Sequence, residues 1–164
     1  MRIIGLWAML LILLYALQTS LLTYINFGGF SANLMLLLTV SIAFLRGHKY
    51  GVFFGFIAGL LQDSTTGSYF GLATFSYMTV GLIFGKFSVN LFRDQSLLPV
   101  ISSIPALVLH FAITIGFLFL LKYQVDLARF LREDFWSMAI MQIVLAYPVH
   151  KIVLKLNDYA KKQR

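Results

Sequence analysis

Few side chains in this 164-residue chain could do chemistry, and they stand far apart. Its histidines, His48, His110 and His150, have no carboxylate at metal-ligand spacing, so no metal site is expected. There is no cysteine, hence no thiol nucleophile, disulfide framework or thiolate site. Phosphate-cradling P-loop and G-x-S-x-G patterns are absent, as are paired intramembrane carboxylates of the kind a hydrolase or proton pump requires. The pattern points away from an enzyme and calls for no cofactor. Two ionisable residues remain. Asp63 is the acid of the central stretch, suited either to bond the backbone of the turn Ser64-Thr65-Thr66-Gly67 or to present a carboxylate at the rim of a bundle. His110 lies about 20 Å into a long apolar span, a depth at which an ionisable group is a functional-site hypothesis. The competing expectation is a neutral ring bonded within its bundle, for instance to Thr114, in a helix loosened by Pro99 and Pro105.

Asp63 lies within the stretch GHKYGVFFGFIAGLLQDSTTGSYFG, in which Gly47, Gly51, Gly55, Gly59, Gly67 and Gly71 fall at steps of four around it. In water each internal helical glycine costs about 0.8 to 1 kcal/mol relative to alanine. In a bilayer the same glycines let another backbone come close. A step of four turns about 400°, so the stripe drifts about 40° per step. Either a right-handed crossing with one neighbour or two different neighbours is implied. Gly51, Gly55 and Gly59 are thus the candidate partner-binding surface, and Asp63, Gly67 and Gly71 the re-entry into the next span. A second G-x-x-x-G, Gly81 and Gly85, follows.

The elements that position these residues follow from composition. The chain is 60% hydrophobic and 12% charged, against about 45 to 50% and 25% in soluble domains. This predicts an all-α integral membrane protein of one domain, 1–164, with six transmembrane helices near 3–25, 30–45, 48–62, 70–88, 97–121 and 135–154. The first span is too long for a secretory h-region and is expected to be retained. With the N-terminus inside, ten of the Lys and Arg side chains fall on the cytoplasmic side and three, Lys122, Arg129 and Arg132, outside. Fusing the second and third spans would put the basic tail outside, so six spans with both termini cytoplasmic fit better. The net charge of +7 then reads as orientation and lipid-surface contact, not as nucleic-acid binding. Val125, Ala128, Leu131 and Phe135 recur at helical spacing in the outer loop, suggesting a short surface helix. The tail Asn157 to Arg164 is expected to be too short to fold. Gln18, Thr19, Asn33, Asp63, Thr65 and Gln142 gather toward the outer half, where they could line a cavity.

The segment GVFFGFIAGLLQDSTTGSYFGLATFSYMTVGLIFG resembles the central signature of the rod shape-determining MreD family. In that signature a glycine-patterned helix ends in G-L-x-x-D, here Gly59, Leu60 and Asp63, and a G-x-x-x-G-L entry follows, here Gly67, Gly71 and Leu72. The family often has a proline before the second span, where this chain has Ala32-Asn33. The resemblance implies a multi-pass protein of the bacterial plasma (inner) membrane, with a fold similar to the substrate-binding component of energy-coupling-factor transporters. It also implies a non-enzymatic role in the elongation complex, with MreC as direct partner and MreB, RodZ, RodA and penicillin-binding protein 2 as neighbours. A second copy of the chain stays open as a partner. The rival function is a substrate-binding subunit of a vitamin-like or lipid-precursor transporter.

Overall fold

Among the described helices the one at the centre is the shortest and the most apolar-looking from every side. In the computed structural model, which describes residues 2–24, 32–66, 70–88, 98–122 and 135–162, α2 (Leu34–Arg46) has ten consecutive buried residues, Leu34 to Ala43. A helix that is apolar all round has no solvent or lipid stripe to present, so it must be enclosed. It is enclosed by α1 (Arg2–Tyr24), α3 (His48–Thr66), α4 (Leu72–Ser88), α5 (Leu98–Leu120) and α6 (Phe135–Lys162), each of which packs against it. The described elements are all helices, with no strand among the described residues.

Both ends of α2 are set by its sequence. Asn33 is the N-cap, its side chain accepting from the Leu36 N–H at 3.0 Å. At the other end Gly47, with φ +86°, donates its N–H to the Ala43 carbonyl and turns the chain. A side chain at that φ would be strained, so the one-residue connection depends on glycine. Helix α3 then folds back along α2, with Gly51 against the Ala43 methyl. The second and third segments are two separate helices, not one fused span.

The outer helices carry large exposed apolar side chains, among them Met9 on α1, Phe53 on α3, Phe119 and Leu120 on α5, and Trp136 and Ile140 on α6. Two helical stretches, Val100–Leu120 and Met138–Lys162, are long and apolar enough to cross a membrane. Gly5–Ser20, Leu34–Arg46 and Leu72–Phe87 are apolar but shorter. Helix α5 continues through Pro105, and α6 through Pro148.

The C-terminal tail departs from expectation. It was expected not to fold, yet α6 continues to Lys162. The cause is tertiary. Asn157 and Ala160 are buried against the bundle, and Asn157 Oδ1 accepts a hydrogen bond from Arg46 Nε at 2.8 Å. The expected outer-loop helix lies outside the described residues.

Candidate functional site

The glycines of α3 are where two backbones meet. A Cβ added at Gly51 would stand 2.6 Å from the Gly81 carbonyl oxygen, one at Gly55 2.6 Å from that of Tyr77, and one at Gly59 2.3 Å from Thr74 Cα. The approach is reciprocal, since a Cβ at Gly81 would meet the Gly51 carbonyl oxygen at 2.3 Å and one at Gly85 would meet His48 Cα at 2.4 Å. Five glycines from two consecutive helices therefore interleave; α4 meets Gly51, Gly55 and Gly59, and the Ala43 methyl of α2 also meets Gly51. The drifting stripe meets α4 along its length and α2 as well at Gly51. The surface expected to receive a partner's helix is occupied by the chain's own α4.

Such close approach leaves little room for water, which matters at the helix ends. The first N–H groups of any helix lack partners within it, and in hydrocarbon water cannot supply them. Here side chains from other helices do so. At the start of α4, Asp63 at the far end of α3 accepts from the N–H groups of Gly71 at 3.0 Å, Ala73 at 2.9 Å and Thr74 at 3.0 Å, and from the Thr74 hydroxyl at 2.5 Å. The negative charge also sits at the positive end of the α4 dipole. Gly71, with φ +99°, gives the chain the turn that aims these donors at Asp63.

This corrects the expected placement of Asp63. It is 3% exposed, not an open rim carboxylate, and it reaches partners eight to eleven residues on, beyond the turn Ser64 to Gly67. The reason is that α3 does not stop at Asp63. Ser64 and Thr65 remain helical and return their hydroxyls to the Leu60 and Gln62 carbonyls, leaving Asp63 to face α4. Gly67 lies outside the described residues.

At the start of α2 the same task falls to neutral amides. Gln18 of α1 accepts from the Met35 N–H at 3.1 Å and donates to Gln62 of α3 at 2.7 Å. Gln142 of α6 accepts from the Asn33 N–H at 3.0 Å and donates to the Asn33 carbonyl at 3.4 Å. Asn33 Nδ2 donates to the hydroxyl of Tyr77, which is fully buried on α4. Gln18, Asn33 and Gln142, expected to line a cavity, are thus buried and spent on Gln62, Tyr77 and the backbone at the start of α2. Thr19 bonds the carbonyls of its own helix.

His110 is engaged beside this network. Its Nδ1 is 2.7 Å from the Ser76 hydroxyl on α4, and its ring packs on Tyr77 with centroids 5.2 Å apart. Thr114, its expected partner, bonds the His110 backbone carbonyl instead, at 2.9 Å, as a helical threonine does with the residue one turn back. Among the described residues no group of three His, Cys, Asp or Glu could hold a metal. The residues that spacing missed are Ser76, Tyr77 and Thr74. The signal for Thr74 and Tyr77 was their place on the Gly81 face of α4, legible only once α3 and α4 are paired, whereas Ser76 lies on the side toward His110.

The model of the rod shape-determining protein MreD family matches residues 1–159. The chain belongs to the MreD family. Membership supports a role in determining rod shape. No curated protein and no solved structure matches the chain. In this MreD-family chain the signature residues Gly51, Gly55, Gly59, Asp63 and Gly71 have one common assignment: they lock α3 to α4 and cap the second of the two.

Proposed function

We propose that the chain is a non-enzymatic scaffold of the cell-elongation machinery in the bacterial inner membrane, crossing it six times with the start of α1 and the end of α6 on the cytoplasmic side. In this reading it binds MreC directly, has MreB, RodZ, RodA and penicillin-binding protein 2 as neighbours, and helps control where peptidoglycan is made. The fold is proposed to be similar to the substrate-binding component of energy-coupling-factor transporters, as the signature implies.

The observation that carries the scaffold reading is the full engagement of Asp63. A carboxylate accepting four hydrogen bonds from one helix start is a structural fastening, with little capacity left for a substrate. The distribution of described cations supports the orientation. Arg46, Lys49, Lys86 and Lys161 gather at the end opposite Asp63, as cytoplasmic ends do.

Gly51, Gly55 and Gly59 act on partner binding indirectly in this proposal, by holding the α3–α4 pair rigid so that its outer faces, not the stripe, meet MreC. The test is co-purification with tagged MreC from membranes. The wild-type chain recovers MreC, while Gly55→Leu, which drives a side chain into the Tyr77 backbone, loses MreC together with its own thermal stability. An inserted, folded wild-type chain that recovers no MreC would overturn the reading.

A further inference from the structure

Helix α5 is held differently along its two halves. In the half that begins it, Ser102, Ser103, Ala106 and Leu107 are buried. From Val108 to Leu120 none of its residues is buried. The inward stripe shows the change directly, its members sharing one side of the helix at steps of three and four. Ser103 and Ala106 are buried, His110 and Thr114 half-buried, Phe117 38% exposed and Leu121 52%. The bundle itself does not thin out at that level, because Ser76 and Tyr77 of α4 and Ala139 and Gln142 of α6 stay buried there. It is α5 that stands off.

The change falls beside Pro105, inside the helix. Its nitrogen carries no hydrogen, so the Ile101 carbonyl loses its helical donor, and the ring crowds that carbonyl. Bends in long helices concentrate at such positions. Beyond Pro105, His110 Nδ1 meets the Ser76 hydroxyl at 2.7 Å, Phe117 meets the Phe75 ring with centroids 5.4 Å apart, and Phe111 meets Phe135 of α6 at 6.3 Å. These are side-chain contacts, without the interleaved backbones of α3 and α4. Gly116, the glycine of this half, has open space where a Cβ would stand. A segment with so few buried apolar groups belongs to the part of a fold that opens most readily.

We propose that Val108 to Leu120 form an arm, hinged at Pro105, that closes on α4 and swings away from it, latched by the Ser76 to His110 hydrogen bond and the Phe75 to Phe117 ring pair. Closed, the arm lays the His110 ring on Tyr77, centroids 5.2 Å apart, and the Tyr77 hydroxyl holds the Asn33 side chain that caps α2. Open, it withdraws that support. The arm thereby joins events at this end of the bundle to the central helix. The proposal concerns the bundle alone and stands or falls without MreC.

Distances between spin labels in the full chain, reconstituted in lipid nanodiscs, test it; the chain has no cysteine, so labels go only where one is introduced. Phe56→Cys on α3, which is locked to α4, serves as the fixed point. Paired with it, Phe119→Cys and Ala112→Cys beyond the hinge should each give a broader distance distribution than Ile101→Cys before it, severalfold broader at Phe119; all four positions are exposed. Pro105→Ala should narrow both to the width of the Ile101 pair. His110→Phe, which keeps a ring on Tyr77 and removes the bond to Ser76, should shift the weight toward longer distances. Equal widths for the three wild-type pairs overturn the proposal. So does a broad distribution at Phe119 with a narrow one at Ala112, the mark of an end that frays and not of an arm. It falls also if Pro105→Ala or His110→Phe, correctly inserted, leaves the distributions as in the wild type. Should either variant not insert, the wild-type comparison decides alone.

Discussion

The two ends of the bundle are opposites in their hydrogen bonding. At the Asp63 end the starts of α2 and α4 are met by side chains. A carboxylate fastens α4, and the amides of Gln18, Asn33 and Gln142 fasten α2. At the Arg46 end, Trp7 and Asn157 keep buried donors with no acceptor. The difference teaches that polar residues in an apolar helix bundle need not announce chemistry. Where donors and acceptors balance within the chain they act as structure, and where one kind is in excess the burial leaves a cost unmet.

The comparison breaks most readily at Asp63. Asp63→Ala strands three backbone N–H groups in an apolar setting, and at about 1 to 3 kcal/mol for each group left unmet the expected loss is at least about 3 kcal/mol. Thermal unfolding in detergent measures it, and an unchanged midpoint would show that Asp63 is not the fastening described. Next in size is Gly55→Ala, where even one methyl meets the Tyr77 backbone; overpacking of this kind costs about 1 to 3 kcal/mol. If that variant is as stable as wild type, the α3–α4 approach is looser than the structure has it. Gln142→Leu should cost somewhat less, about 1 to 2 kcal/mol, since hydrogen bonds between membrane helices average about 0.6 and reach about 1.7 kcal/mol. A larger loss would make the α2 cap, not the α4 cap, the weak point of the closed end. Smallest is Gly116→Ala on α5, where a Cβ meets nothing within 4 Å. It should leave stability unchanged or raise it by up to about 1 kcal/mol.

Much of the closed end was legible in the sequence, because its signals are local. Glycine at every fourth position, a lone acid at the end of that run, and a break at Gly47 lie within one stretch, and their spacing alone marks a close-packed helix and a turn. What spacing could not show is which neighbour fills the stripe. The second G-x-x-x-G at Gly81 and Gly85 carried that information, but only pairing α3 with α4 gives it meaning. The α2 cap was less legible still. Leu34 to Ala43 is apolar on every side, so it has no periodic face from which to infer neighbours, and the partners of Asn33 come from remote helices. The folded tail was hidden for a related reason. Its composition resembles a solvated basic end, and only the distant Arg46 gives Asn157 cause to pack.

The dispersed partners of Asn33 also impose a timetable on biosynthesis. Tyr77 stands 44 residues further along the chain and Gln142 109. When α2 is synthesised neither has been made, so the polar start of the central helix must wait, shielded at best by Gln18 of α1. Completion comes only when α6 arrives. A chain that stalls before its last helix would expose that polar start to lipid, offering a membrane protease or chaperone a chemical mark by which to tell an unfinished molecule from a finished one.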